Sequence, residues 1–285
     1  MLLAVAGTFR EARMKIRISY LLAALFLLSV VAPPRACRAQ AKSVRLDSLT
    51  WVEADSAFKS YAVILIPLGA RTKEHGPHLP LKNDYVMAEY LTARVAAEAP
   101  VVVMPTLQYG YYPAFLEYPG SVSIDAATFK SFVEDICLSM NGYGFRKFYV
   151  LNTGISTLRP LKAAADELAA RGIVLRYLNL LDVDAALPAG LLREEGGTHA
   201  DEEETSIMLY IAPGLVDMSK AVKDYDARPD RKGLTRDPNG SGSYSPTGIW
   251  GDPTLATREK GRVIVEATVR EIVKQVNELI ELELP

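Results

Sequence analysis

The chain has 285 residues, 49% of them hydrophobic and 23% charged, with 32 Lys+Arg against 34 Asp+Glu. That is the make-up of a folded globular protein and excludes disorder over most of the length. A formal net charge of -2, with no basic run anywhere, gives no surface for phosphate, so nucleic acid is not an expected partner.

The first recognisable segment is an address. Ile18–Ala32 is an uncharged apolar run of 15 residues, preceded by Met14-Lys15-Ile16-Arg17 and followed by Pro33-Pro34 and the small residues around Ala36–Ala41. This order of charge, apolar stretch and small residues is that of a secretory signal, so residues 1–39 are expected to be removed after Ala39 or Ala41 and the protein to be exported, periplasmic or secreted. The pattern begins at Met14, which makes that residue a candidate start. A membrane-spanning helix needs about 20 apolar residues, so no membrane contact is expected after cleavage, a retained anchor being the competing reading. Without residues 1–39 the chain keeps 26 basic and 33 acidic residues, a net charge of -7. Cys37 falls in the signal and Cys137 in an apolar stretch, so the mature chain has no intramolecular disulfide and must be held by its core.

In chain order, Ala62–Leu68, Val101–Thr106, Lys147–Asn152 and Val174–Leu180 read as strands buried on both faces. Helical patterns cover Asp84–Ala97, Ala126–Met140, Thr157–Ala170, Glu202–Ile211 and Thr257–Leu282, with Asp125 and Thr157 where N-caps belong and Gly172 just past an end. Strands alternating with helices predict parallel pairing with crossover helices on both faces, an α/β fold in three layers. Val222–Pro253, rich in Asp, Gly, Pro and Ser, reads as a covering loop, and residues 44–285 as one domain.

Open parallel sheets bind ligands beyond the carboxyl ends of their strands, and all three histidines, His75, His78 and His199, fall in such segments with carboxylates nearby. Glu74, His75 and Asp84 follow one strand; His199-Ala-Asp-Glu-Glu-Glu204 opens a helix that sets Glu204 one turn from Asp201. Imidazole with carboxylate is the ligand mixture of Zn, Mn or Fe sites, and metal-activated water is a nucleophile for hydrolysis. The competing structural reading makes His75 and His78 loop caps and Glu202–Glu204 a solvated helix start.

These residues carry a resemblance. Ile66-Pro-Leu-Gly-Ala with Glu74-His-Gly-Pro-His-Leu-Pro-Leu-Lys-Asn-Asp84 is similar to the signature of the creatininase (creatinine amidohydrolase) family. Pro105–Gly110, Tyr118–Ile124, Gly144–Lys147, His199–Leu209 and Gly251–Thr257 with Lys260-Gly261 continue it in order, over about residues 45–280. The resemblance implies a three-layer α/β/α fold with a mostly parallel central sheet, usually hexameric. It also implies hydrolysis of a cyclic or linear amide at a site with two divalent metals. By position, His75, Asp84 and Glu204 match the ligands of one metal, Asp84 also bridging to the second, and His199 matches the proton-transferring histidine. The chain departs from the pattern at Lys73, where the family carries Glu two residues before the signature histidine, and at Gly154, where it carries a metal-binding histidine.

Glycine offers no donor, and an ammonium beside a divalent cation repels it, so the second metal site is expected to be weakened or absent. Glu74 is a further ligand candidate. His78, Tyr109, Tyr111 and Asn152 are the substrate-binding candidates, with Tyr112 and Phe115 completing an aromatic wall. The expected cofactor is one divalent metal, Zn or Mn; the expected partners are a small-molecule amide and further copies of the chain. A non-catalytic ligand-binding protein that keeps the fold is the alternative function.

Overall fold

β1 (Val44–Arg45), β2 (Ile64–Leu68), β3 (Val102–Val103), β4 (Lys147–Asn152) and β5 (Val174–Tyr177) form one sheet in the order β1-β3-β2-β4-β5, with every neighbouring pair parallel. The coordinates are a computed structural model that describes residues 43–225 and 233–285. The expected signal peptide, Cys37 and the candidate start at Met14 lie outside the described residues.

Alternation along the central strands builds the layers. Ile64, Ile66 and Leu68 of β2 pack with Phe129 and Val133 of α3 (Ala126–Asn141) and Leu161 and Leu168 of α4 (Leu158–Ala169). Val63 and Leu65 point the other way, toward Met87 and Leu91 of α2 (Asn83–Glu98), Met208 of α6 (Glu202–Ile211) and Ile264 of α7 (Arg258–Glu281). All five residues of β2 are buried, and full burial of each aliphatic side chain contributes about 1.5–3 kcal/mol. The sheet therefore has helices on both faces, as expected.

The elements differ from expectation in several places. The run Val101–Thr106 pairs only at Val102–Val103, because Pro105 lacks a ladder donor, and Leu107 makes one further bridge to Leu68. Val174–Leu180 is a strand only to Tyr177, and Leu180 opens the short helix α5 (Leu180–Asp184). β1 and α1 (Trp51–Phe58) were not expected; α1 is marked by a capping box between Thr50 and Glu53. Asp125 caps α3 as expected, accepting from Ala127 N and Thr128 N. Thr157 does not cap α4: its backbone is already helical, and its hydroxyl donates to Asn152 Oδ1 at 2.6 Å. Within Val222–Pro253 the described residues hold the two-residue strands β6 (Leu234–Thr235) and β7 (Ser243–Tyr244) and single bridges between Asp224 and Gly251 and at Trp250.

The strand order fixes where a ligand belongs. The chain leaves β2 for β3 on one side and then crosses to β4 on the other, so the crevice beyond the carboxyl ends of β2 and β4 is the switch point of the sheet. Gly69, directly after β2, permits the tight approach of this loop to α2: a Cβ there would collide with the Asp84 carbonyl.

Candidate metal and catalytic site

The loop after β2 is tied down before it delivers its side chains. Lys73 N donates to Leu81 O at 3.1 Å, Val122 N to Thr72 O at 2.9 Å and Glu74 N to Ser121 Oγ at 3.0 Å. Gly76 then turns the chain at φ 64°, its N–H held by Glu74 Oε2 at 2.8 Å. This fixes Lys73, Glu74 and His75 beside Asp84 in the first turn of α2, all four buried.

His75 Nδ1 lies 2.9 Å from the Lys73 carbonyl and His75 Nε2 lies 2.7 Å from Asp84 Oδ1. The other Asp84 oxygen, Oδ2, pairs with Lys73 Nζ at 2.8 Å. Burial pushes the Asp84 carboxyl up, but the Lys73 ammonium, then His75, outweigh it and hold the group well below the usual carboxylate range. For Lys73 burial works to lower the amine, and Asp84 followed by Glu204 hold it above its ordinary value. The Lys73 ammonium also lies 4.9 Å from the Phe115 ring centroid and 5.5 Å from that of Tyr112.

His199 arrives from the opposite side of the site. An antiparallel bridge to Trp250, with Trp250 N donating to His199 O at 2.8 Å, sets its backbone, so the covering segment does position a site residue. Its Nε2 lies 2.8 Å from Glu74 Oε1 and 3.0 Å from Glu74 O, and its Nδ1 is 3.7 Å from Glu204 Oε2. Burial raises the Glu74 carboxyl, and His199 more than reverses this. Ala200, strained at φ 48°, donates its N–H to Glu204 Oε2 at 2.6 Å, while Asp201 caps α6 by accepting from Glu204 N at 2.9 Å.

One ligand atom from each of His75, His199 and Glu204 falls within 4.8 Å of the others. A cavity of about 600 Å³ opens beside them, lined in part by Lys73, Phe115, Gly154, His199 and Glu204. Its wall also carries Asp184 and Glu203, and burial, then Asp184, pushes the Glu203 carboxyl well up.

The residues expected for substrate lie elsewhere. Tyr109 is half exposed and Tyr111 packs on the hydrophobic core between the sheet, α3 and α4. Asn152 spends its amide on the turn after β4, donating to Gly154 O at 2.8 Å and accepting from Thr157 Oγ1. Buried His78 meets Thr205 Oγ1 at 2.8 Å. None of the four lines the cavity, whereas Phe115 does. Sequence reasoning missed the Asp84–Lys73 ion pair and the Asp184–Glu203 wall, since the sequence separations of 11 and 19 residues carry no local signal.

Nitrogen and carboxylate oxygen donors suited to a divalent cation converge here. With Nδ1 committed to the Lys73 carbonyl, His75 turns Nε2 toward Asp84 Oδ1, so that a ring nitrogen and a carboxylate oxygen converge on one side of Asp84. At Asp84 Oδ2 the counter-charge is already the Lys73 ammonium.

Comparison with known proteins identifies the family. The family model Creatininase, described as creatinine amidohydrolase, matches residues 47–276. Creatinine amidohydrolase of Pseudomonas putida is 30% identical over 267 residues, 83% of this chain and 97% of its own. A solved structure named "Creatininase Mn" is similar with a TM-score of 0.70 at 27% identity, covering 85% of this chain and 100% of its own. A mutant creatininase described as of Zn-Zn type is similar with a TM-score of 0.69 at 28% identity, with the same coverage.

Proposed function

The chain belongs to the creatininase family, and from that premise we propose that it is a hydrolase of a small cyclic or linear amide, using one divalent cation, Zn or Mn, held by His75, Asp84 and Glu204. The observation that carries this reading is the 2.7 Å contact of His75 Nε2 with Asp84 Oδ1, made while Nδ1 is committed to a carbonyl. When bound, the cation supplies Lewis acidity toward the amide oxygen and lowers the pKa of water in the site.

The chain's own residues supply the rest. Glu74 holds His199 Nε2 and thereby fixes its tautomer, leaving Nδ1 on the Glu204 side. The Phe115 ring, 4.3 Å from the His199 ring between centroids, restricts its rotation. Amide cleavage needs a proton delivered to a poor leaving nitrogen, and imidazole titrates near enough to neutrality to take one and return it, so His199 is the proton-transfer group. A cavity of about 600 Å³ suits a small molecule.

A second reading has one observation in its favour: His199 falls in the converging set with His75 and Glu204, which would make it a ligand. His199→Ala separates the two. As a proton-transfer group its loss keeps metal content and lowers turnover by roughly 10²–10⁴-fold; as a ligand its loss takes the metal with it. Metal content unchanged by His75→Ala, or no hydrolysis across a panel of lactams, ureido acids and short peptides by metal-loaded protein, would move the chain to the non-catalytic alternative.

A further inference from the structure

Asp84 is the hub of the site and is shared between two partners: its Oδ1 meets His75, and its Oδ2 meets the Lys73 ammonium at 2.8 Å. A carboxylate divided in this way, one oxygen to each side, is what bridges a pair of cations. One of the two is here a side chain.

We propose that the Lys73 ammonium is a built-in second cation: it holds the position on Asp84 Oδ2 that a second metal ion would take, in surroundings that suit an ammonium. Three independent features support this. Lys73 is 4% exposed and enters with its own backbone N–H fixed on Leu81, so the charge is placed by the fold. The aromatic faces of Phe115 and Tyr112, 4.9 and 5.5 Å away, suit an ammonium by cation–π attraction but offer a divalent metal none of the oxygen or nitrogen donors it needs. At the end of β4, Gly154 supplies no donor, and a Cβ added there would sit 3.3 Å from the Tyr112 ring, a tight contact that leaves little room for a ligand side chain at this position. Lys73, Gly154 and Tyr112 thus meet at one place in the fold.

Lys73 also lines the cavity, which puts its charge at the wall facing a bound molecule.

This inference rests on the single-metal hydrolase reading but is tested apart from it. The unaltered chain is saturated with Zn²⁺ or Mn²⁺, dialysed and assayed for metal per chain; Lys73→Ala is then melted with and without propylammonium, which matches the deleted stem and charge. We expect no more than one metal per chain, and a thermal midpoint of Lys73→Ala raised by about 2–4 °C, the shift of a modest stabilisation in a domain of this size, with no rise from neutral propanol. Two tightly held metals in the unaltered chain overturn the proposal, as does a variant indifferent to propylammonium or equally raised by propanol. Should Lys73→Ala not fold, the count on the unaltered chain decides. A chain without metal whose variant is still rescued by propylammonium removes the hydrolase reading and leaves the ammonium assignment in place.

Discussion

His78 shows what burial does to a histidine that the chemistry does not use. Burial is the main cause that brings His78 down to about 4; Glu204 opposes it and His75 adds to it. Its folded pKa lies below the ordinary value near 6.5, so the stability it contributes is complete above about pH 6.5 and is lost as pH falls toward 4. At pH 5 the loss is about 2 kcal/mol, and His78→Asn is expected to flatten the decline in unfolding free energy between pH 7 and pH 5 in denaturant titrations. A decline of the same slope in the variant would assign the acid sensitivity to other groups.

At the same scale, the chemistry-bearing types were legible, because three histidines beside carboxylates at strand ends are a local pattern. Their division of labour was not. Whether Asn152 meets a substrate or a turn, and whether Lys73 repels a metal or replaces one, depends on partners that only the packed sheet brings within reach.

Elements were readable where the signal is carried within them. α6 falls on Glu202–Ile211 as expected, because Asp201 caps it and the acidic first turn suits the helix dipole. β1 is two residues long and owes its existence to pairing with β3, and Thr157 failed as a cap because its hydroxyl serves the turn on which Asn152 closes. Asp125→Ala removes a cap that is made and is expected to cost about 1 kcal/mol in unfolding free energy. The contact between α6 and α7 is more consequential. Glu202, buried, is paired with Lys260 and accepts from Arg193 N at 2.7 Å and Glu194 N at 2.8 Å. Lys260→Met strips the buried charge of its counter-ion, and a loss of about 3–5 kcal/mol is expected; a loss below about 1 kcal/mol in chemical denaturation would show that the backbone donors suffice.

For the whole molecule, the three-layer class followed from the alternation of strands and helices, and the family resemblance agrees with the matched span of residues 47–276. Among the described residues no helix is long and apolar enough to cross a membrane. We propose that the chain is exported after removal of residues 1–39 and assembles as a homo-oligomer, a hexamer by family resemblance. Mass spectrometry of the purified protein is expected to find an N-terminus near Gln40 or Lys42, and an intact N-terminus on cytoplasmic protein would refute export. Solution scattering at micromolar concentration is expected to return the mass of an oligomer, and a monomer would refute assembly.

All of these readings meet at His75, whose two ring nitrogens join the loop carbonyl to the Asp84 hub. The most direct measurement is elemental analysis of the purified chain beside its His75→Ala variant, each shown to be folded by circular dichroism. The account predicts one Zn or Mn per chain in the first and a large loss of metal in the second. An unaltered chain that hydrolyses its substrate with no metal, or a His75→Ala chain with its metal content intact, would contradict it.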